Sequence, residues 1–371
     1  MGLKPAALSA ERSPVMGSSS RLAALALCFA ALLPLGASAR PTESSQSWAA
    51  AQIALVTEHG IFRGTPETFR PDEPLTRQAL AHAVARLTGT AETRLAGGET
   101  PVTLQELDAA LVRAVGLRDA AYRVSRSARR AGLEPPARFG SEVVARLLGL
   151  RLNHPEGQDD LELQPQQAAT RAEAAYSLAQ ILAFESSGDA AGERRSSSGA
   201  TTRLDPAATR QVASAREAAK SFELPALSAW QRRLLTTASS YIGFPYVWGG
   251  TGEEAPGFDC SGFVWRVFRL TTYPDEGILG DTVRGRTTMA MSGEVASAGR
   301  IPLEALEPGD VLFFGQGPAS KPEQVVHTGI YLGNGWFIHA SRYGVAVAAL
   351  DGWYRDSFAW ARRPLAEAGL V

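Results

Sequence analysis

Residues 257–264 read Gly-Phe-Asp-Cys-Ser-Gly-Phe-Val, and this stretch decides the fold of the second half of the chain. Asp259 is a favourable N-cap residue, so it predicts a helix whose first turn holds Cys260. The positive end of the helix dipole is expected to favour a thiolate there and to lower the thiol pKa. Apolar residues then recur at the spacing of one helix face, which predicts a helix with one buried side. They are Phe263, Val264, Val267 and Phe268.

Two β-strands are predicted downstream, at residues 325–332 and 336–340. The three residues between them, Gly-Asn-Gly, are a hairpin signal. Each strand carries one histidine, His327 and His339, and the sequence has no other histidine after His154. A histidine is a common base for activating a thiol nucleophile, so both are candidates for that role.

The relative position of the two histidines depends on the length of the hairpin loop. With a three-residue loop, His339 faces Gly329, two positions from His327, and the two side chains share a face about 5–8 Å apart at Cβ. A two-residue loop would place them on opposite faces. We expect the three-residue loop, with His327 as base for Cys260 and His339 as the group that orients His327.

The chain begins with a predicted targeting segment. Basic residues precede an apolar stretch at residues 22–35, and a small-x-small signature ends at Ala39, which is the pattern of a secretory signal peptide. The apolar stretch is short for a membrane span. We expect residues 1–39 to be removed, leaving a secreted chain at the cell wall or cell surface with no transmembrane anchor. Translation starts at Met1 or at Met16.

Length, charge and cysteine content narrow the class of protein. A chain of 371 residues suits two domains. The formal net charge of -1 gives no sign of nucleic-acid binding. Loss of the signal peptide removes Cys28 and leaves Cys260 as the one cysteine. A single cysteine in a secreted protein suggests a reactive thiol, and the alternative is a buried, inert one.

The region from residue 46 to 184 predicts short helices joined by turns. Thr76 is a plausible N-cap, and Thr170 and Glu173 have the spacing of a capping box. A fainter copy of the same unit lies at residues 102–107. The recurrence of one unit predicts an all-α repeat domain.

Two boundaries follow from composition. Residues 185–205 are rich in Ser, Gly and charged residues and predict a flexible linker, which would let the parts on either side move independently. Residues 226–367 form the mixed α/β part of the chain.

The motifs of this second part resemble the NlpC family of papain-like cell-wall cysteine peptidases. They are Pro-Tyr-x-Trp-Gly-Gly at 245–250, Asp-Cys-Ser-Gly-Phe-Val at 259–264, Pro-Gly-Asp-Val-Leu-Phe-Phe at 308–314 and His-Thr-Gly-Ile-Tyr-Leu-Gly-Asn-Gly at 327–335. The resemblance implies an α+β fold with helices packed on an antiparallel sheet. It also implies that Cys260, His327 and His339 are the catalytic triad.

The same resemblance implies a reaction. The protein would be a peptidoglycan hydrolase, an endopeptidase that cleaves stem peptides between D-glutamate and a diamino acid. We expect it to need no cofactor and no metal. Tyr246, Asp259 and Ser261 would lie near the substrate. The backbone N–H of Cys260, at a helix start, is a natural donor to the oxyanion.

The first part resembles S-layer homology repeats, which bind secondary cell-wall polymers. The resemblance rests on an early Trp, a Gly-Ile-Phe-x-Gly turn, a Phe-Arg-Pro segment and a Thr-Arg helix start in residues 46–90. It implies a wall-binding domain at 46–184, with Arg77 and Arg171 as the residues that bind an anionic sugar substituent through their forked donors. The alternative is that both are ordinary first-turn residues.

Three other interpretations of the Cys/His/His set stay open. The set could bind zinc with an open position, although the sequence has no His-Glu-x-x-His motif. The fold could be a non-catalytic wall-binding protein. The same triad could also run acyl transfer or amide hydrolysis on another substrate.

Some residues are given no chemical role. The longer segments 271–300 and 315–324 could flank the cleft. Arg284 and Arg286 are interpreted as solvated surface charge. His59, His82 and His154 are expected to be structural or solvated.

Overall fold

The computed structural model describes residues 43–92, 95, 97–155, 157–186, 206–253, 255–269 and 276–370. The predicted signal peptide and all but the first two residues of the predicted linker lie outside these ranges, so both stay predictions. Within the described residues, no helix has the length and hydropathy needed to cross a bilayer.

The first part of the chain is helical. Its helices are α1 (Glu43–Gln46), α2 (Ala50–Glu58), α3 (Arg77–Thr88), α4 (Leu104–Ala114), α5 (Arg118–Arg130), α6 (Phe139–Leu147), α7 (Arg171–Ser186) and α8 (Pro206–Ser221). Short 3₁₀ turns occur at Pro66–Thr68 and Asp159–Leu161. The predicted helix start after Thr76 is found at Arg77.

The starts of α3, α4 and α7 are hydrogen-bonded to one another in a ring. The backbone N–H of Leu75 donates to the carbonyl of Ala169, that of Ala169 to Val102, and that of Val102 back to Leu75, at 2.8, 2.9 and 2.9 Å. A threonine follows each of these residues, and its side chain caps the next helix. Three equivalent units are therefore present, including the faint middle one.

The capping box predicted at Thr170 is only half formed. The Thr170 hydroxyl accepts from the backbone N–H of Glu173 at 3.1 Å. The Glu173 carboxylate, however, contacts Arg151 and His154 at 2.9 and 3.0 Å, because these buried cationic groups compete for it. The reciprocal box forms instead in the middle unit, after Thr103.

The second part holds the sheet and the remaining helices. The helices are α9 (Ala229–Ser240), α10 (Cys260–Arg269), α11 (Glu276–Thr282), α12 (Thr288–Gly293), α13 (Gly352–Asp356) and α14 (Pro364–Glu367). The strands are β1 (Val311–Phe314), β2 (His327–Gly333), β3 (Trp336–Ser341), β4 (Gly344–Ala349) and β5 (Phe358–Arg362). Further 3₁₀ turns lie at Ser297–Gly299, Leu303–Ala305 and Pro322–Gln324.

The five strands form an antiparallel sheet in the order β4-β3-β2-β1-β5. Successive residues of β1 point to opposite faces: Phe313 enters the main core, and Phe314 enters a smaller cluster on the other face. Both faces are covered, so the strands read as continuous apolar runs. Helix α10 packs across β2 and β3. The predicted α+β class, with helices on an antiparallel sheet, is confirmed.

The helical and sheet parts pack into one compact unit. Helix α8, which the sequence did not predict, packs on α5, α6 and α7. Phe222, just after α8, contacts Phe139 of α6 and Trp336 of β3, with ring centroids 6.3 and 5.3 Å apart. The structure thus differs from the independent movement expected from the linker, because an apolar contact joins the two parts.

Polar contacts reinforce this interface. Arg146 of α6 donates to the backbone carbonyls of Tyr343 and Gly243 at 2.9 and 3.1 Å. The Asn153 amide donates to the carbonyl of Tyr246. Each of these bonds fixes a loop of the second part against the first, since buried backbone carbonyls need such partners.

Candidate active site

The β2–β3 hairpin places the two histidines on one face, but not through the expected loop. The loop has only two residues, Asn334 and Gly335, with φ of 49° and 79°, as a type I′ turn requires. The strand pairing is irregular between Tyr331 and Gly333, where β2 carries one extra residue. This bulge restores the register that a two-residue loop alone would have reversed. The predicted loop length was wrong, and the predicted shared face is present.

The two histidine rings are in direct contact. His327 Nε2 lies 2.7 Å from His339 Nδ1, and the rings meet edge to face at 82°. Burial lowers the pKa of His327 to about 4. Burial, and secondarily the neighbouring His327, holds the pKa of His339 well below its usual range. Both rings are therefore neutral at neutral pH, and one nitrogen of the contact must donate while the other accepts.

Only one of the two possible tautomer pairs leaves His327 able to act as a base. If His327 donates through Nε2–H, its Nδ1 lone pair is free to take a proton. If His339 donates through Nδ1–H, His327 carries its own proton on Nδ1 and has no basic nitrogen left. A base role for His327 thus requires His339 Nδ1 to be the acceptor.

Cys260 lies where the start of α10 meets β2. Asp259 accepts the backbone N–H of Gly262 and so caps the helix, as expected. The backbone N–H groups of Thr328, the residue after His327, and of Ser261 act to lower the pKa of the thiol. Cys260 is 8% exposed. The helix start and the start of β2 therefore bring the sulfur to the strand that carries the histidine.

The expected lowering of the thiol pKa is not found. Burial, with a smaller contribution from the carboxylate of Asp259, raises the pKa of Cys260 to about 11, although backbone N–H groups act in the opposite direction. Desolvation outweighs the helix dipole because the sulfur is almost enclosed. The Cys260 thiol and the His327 imidazole are therefore both neutral at neutral pH.

Arg286 is a part of the site that the sequence analysis missed. Its guanidinium contacts both carboxylate oxygens of Asp259 at 3.0 Å, the Ser261 hydroxyl at 3.0 Å and the Gly249 carbonyl at 2.7 Å. The interpretation of Arg286 as solvated surface charge was wrong, whereas Arg284 is exposed. The available signal was Asp259 itself, because a carboxylate beside a buried thiol needs a counter-charge.

A cleft of about 1020 Å³ opens beside His327. Trp248, Val326 and Trp353 line it and are 83%, 65% and 55% exposed, so large apolar side chains face solvent here. Exposed apolar groups around a concave site indicate a binding surface. Within the described residues, no part of segments 271–300 or 315–324 lines this cleft, contrary to expectation.

One wall of the cleft comes from the helical part of the chain. The loop after α6 contributes Asn153, His154, Gly157 and Asp159. The Asn153 contact with the backbone of Tyr246 holds this loop beside the second part. Sequence reasoning did not foresee this wall, because it treated the two parts as separately mobile.

The three predicted substrate-contact residues fall into two groups. Tyr246 lines the cleft, and burial raises the pKa of its hydroxyl. Asp259 and Ser261 instead bind each other at 3.0 Å and share Arg286. Their contact with substrate stays a prediction.

The two predicted polymer-contact residues also differ. Arg77 pairs with Glu106 at 3.1 Å, is half-exposed, and lines a groove of about 580 Å³ between α3 and α4. Arg171 donates to the Phe69 carbonyl at 2.7 Å and lies over the rings of Phe62 and Phe69. Arg77 is therefore open to a ligand, while Arg171 is held by the protein.

No group of three or more His, Cys, Asp or Glu side chains in the described ranges is arranged to hold a metal. His327 Nε2 and His339 Nδ1 are directed at each other. In this arrangement the two nitrogens contact each other and are not both directed at one metal position.

Comparison with family models assigns two domains. Residues 243–363 match the NlpC/P60 family, and residues 42–81 match the S-layer homology domain. The chain thus carries an NlpC/P60 domain with an S-layer homology domain before it, as the motifs implied.

Two curated relatives from Bacillus subtilis match about a third of the chain. A gamma-D-glutamyl-L-lysine dipeptidyl-peptidase is 31% identical over 118 residues, which is 32% of this chain and 34% of the relative. The probable peptidoglycan endopeptidase LytE is 37% identical over 125 residues, or 33% of this chain and 30% of the relative. The match spans about a third of the length of each.

Two solved structures of this family are similar to part of the chain. The NlpC/p60 domain of the peptidoglycan hydrolase SagA is 32% identical, with a TM-score of 0.27, and covers 36% of this chain and 97% of its own. An NlpC/P60 family protein from Bacillus cereus is 28% identical, with a TM-score of 0.30, and covers 39% and 43%.

Proposed function

We propose that the protein is a secreted peptidoglycan hydrolase, a cysteine endopeptidase that cleaves stem peptides between D-glutamate and a diamino acid. The observation that carries the proposal is the His327–His339 pair beside a cleft, on a strand against which the helix that begins at Cys260 packs. The NlpC/P60 match and the cell-wall enzymes among its relatives support the substrate class.

The first half of the reaction forms a thioester. His327 Nδ1 takes the proton of the Cys260 thiol as the sulfur attacks the γ-glutamyl carbonyl carbon, so thiolate forms only as the C–S bond forms. The negative charge moves to the carbonyl oxygen, where the backbone N–H of Cys260 donates to it. Collapse breaks the C–N bond, and His327 returns its proton to the leaving amine.

The second half hydrolyses the thioester. His327 Nδ1 takes a proton from water, and the oxygen attacks the thioester carbon. The C–S bond breaks, the sulfur regains its proton from His327, and the γ-carboxyl group of D-glutamate is released and loses its remaining proton to solvent. His339 Nδ1 accepts from His327 Nε2–H throughout, which keeps the basic nitrogen of His327 directed at the sulfur.

The helical part supplies a second candidate function, binding to a cell-wall polymer. The S-layer homology match supports it, and Arg77 in its open groove is the residue that favours it. The hydrolase would then be held at its substrate.

Acyl transfer or hydrolysis of another amide with the same triad, and wall binding without catalysis, are the competing functions. Mass spectrometry of soluble peptidoglycan fragments separates them. We expect the intact protein to yield fragments cleaved after D-glutamate, and Cys260→Ala to yield none. Transfer of the acyl group to an added amine in place of hydrolysis would indicate acyl transfer, and unchanged fragments with both proteins would contradict the endopeptidase proposal.

A further inference from the structure

The outward face of α5 carries an unusual concentration of arginine. Of the helix's thirteen residues, seven are exposed: Arg118, Asp119, Tyr122, Arg123, Arg126, Arg129 and Arg130. Its buried residues are small or apolar and pack on α6 and α8. The chain as a whole is slightly acidic, so this face is a local excess of positive charge.

Most of these arginines lack an acidic partner. In the described part of the chain, the recorded ion pairs of α5 are limited to Arg130 with Glu223, at 3.7 Å. Other exposed arginines of the protein do find partners, such as Arg63 with Glu92 and Arg70 with Glu73. Apart from Arg130, the exposed arginines of α5 therefore keep their guanidinium donors available.

The face is also concave. A pocket of about 280 Å³ lies between α4, α5 and α6, and three arginines line it: Arg113, Arg118 and Arg129. Tyr122 and Ser125 add hydroxyl groups to the same wall. Arg113 also lines the groove that holds Arg77, so the pocket and that groove adjoin.

We propose that this arginine pocket and the α5 face bind a phosphodiester-linked wall polymer, with one phosphate in the pocket and the following phosphates along the helix. The forked guanidinium matches the oxygens of a phosphate and stays charged at any physiological pH. In a phosphodiester polymer the charge lies in the chain itself, so successive charges can follow the arginines repeated along α5. The inference rests on the wall-binding function proposed above and not on the peptidase.

Two other anionic partners fit less well. A helix that binds a membrane surface presents apolar residues to the bilayer, whereas the exposed face of α5 offers one tyrosine among arginines. A nucleic-acid duplex would need a broad basic surface that meets two phosphate strands, whereas the charge here is confined to one pocket and one helix face.

Binding of the full chain to poly(glycerol phosphate), measured by calorimetry, tests the proposal. Arg118→Gln with Arg129→Gln should weaken binding at least tenfold and make its salt dependence shallower, since two guanidinium contacts to the phosphate in the pocket are lost. The matched control, Arg210→Gln with Arg216→Gln on α8, removes the same charge from exposed positions and should change the affinity less than twofold.

Several results would overturn the proposal: no binding to the polymer, equal weakening by both double variants, or tighter binding to phosphatidylglycerol vesicles or to a DNA duplex. Weakening by Arg77→Gln with none from the α5 pair would leave wall binding in place and reject the pocket. Hydrolysis of soluble peptidoglycan fragments is measured alongside and should be unchanged by the α5 pair, which separates this site from the peptidase.

Discussion

Arg286 and Asp259 form a two-pronged ion pair, with each guanidinium Nη 3.0 Å from one carboxylate oxygen. Asp259 directly precedes Cys260 and raises the pKa of its thiol. Arg286 also binds the carbonyl of Gly249, so it joins the loop before the helix to the helix start. Arg286 is therefore a positioning residue that also balances the charge beside the sulfur.

Arg286→Gln is expected to raise the pKa of Cys260 further, because Asp259 would lose its counter-charge. Each unit of increase lowers the thiolate population about tenfold at a fixed pH. The loss of charge-assisted hydrogen bonds should also reduce the free energy of unfolding by about 2 kcal/mol. The rate of alkylation by iodoacetamide against pH measures the first effect. Arg284→Gln, an exposed neighbour, is the control, and an equal shift in both variants would argue against the assignment.

Replacement of His339 should distinguish an acceptor role from simple packing. His339→Asn keeps an acceptor oxygen near the position of Nδ1, whereas His339→Leu removes it. We expect kcat to fall by about tenfold in the first and at least tenfold further in the second, with His327→Ala lower than either. Equal activity of the Asn and Leu variants would contradict the tautomer argument.

The neutral Cys260 thiol and the neutral His327 imidazole predict a broad pH profile. His327 must be neutral to take the thiol proton, and burial lowers its pKa to about 4, so kcat/KM should fall only as pH drops towards that value. Because the pKa of Cys260 is raised to about 11, its alkylation at pH 8 should be slower than that of free cysteine by about a hundredfold. Fast alkylation with an inflection below pH 7 would instead indicate a preformed ion pair.

His154 should make stability depend on pH at the interface. Burial lowers its pKa, but the carboxylates of Glu162 and Glu173, 3.3 and 3.0 Å from its ring nitrogens, outweigh burial and raise the pKa to about 9. The His154 imidazole binds a proton more tightly in the folded than in the unfolded protein. Its contribution to the free energy of unfolding is therefore fully present below pH 6.5 and is lost as the pH rises through 9. The Tm difference between wild type and His154→Gln should therefore shrink from pH 6 to pH 9.5.

The exposed His59 provides the control for that measurement, since His59→Gln removes an imidazole without touching a buried carboxylate. A Tm difference for His154→Gln that stays constant over the same pH range would show that His154 is uncharged in the folded protein.

The cleft wall supplied by the helical part should affect substrate binding more than chemistry. Asp159 lines the cleft and is exposed, and its neighbour Asp160 is exposed outside it. Asp159→Asn is expected to raise KM for peptide fragments that carry a free amine by up to about fivefold, as exposed charge pairs allow, with kcat unchanged. Asp160→Asn should leave both constants unchanged. The same effect from both variants would indicate only a change in overall charge.

The sequence predicted those parts of the site that depend on local pattern. The Asp259 cap, the α10 start at Cys260 and the shared face of His327 and His339 all follow from spacing along one element. The thiol pKa did not follow, because burial is set by the packing of several elements and not by the helix end alone. The hairpin shows the same limit: the Asn-Gly turn was readable, but the compensating bulge at residues 331–333 carries no sequence signal of its own.

Long-range contacts account for the remaining differences. Arg286 is 27 positions from Asp259, and nothing in its own segment indicates which carboxylate it meets. Likewise, the wall around Asn153 depends on the docking of α8 and Phe222 between the two parts. Composition predicted a linker at residues 185–205. Composition alone does not predict which elements the residues after that segment, such as α8 and Phe222, pack against.

The hydrogen-bonded ring of Leu75, Val102 and Ala169 has a consequence for how this domain can evolve. In an open-ended helical array, each repeat stacks only on its neighbours, and copies can be gained or lost at either end. Here the last unit bonds back to the first, and every backbone N–H and carbonyl of the three residues is used within the ring. A fourth copy would find no donor or acceptor left to join, so the copy number of this module is fixed at three by closure.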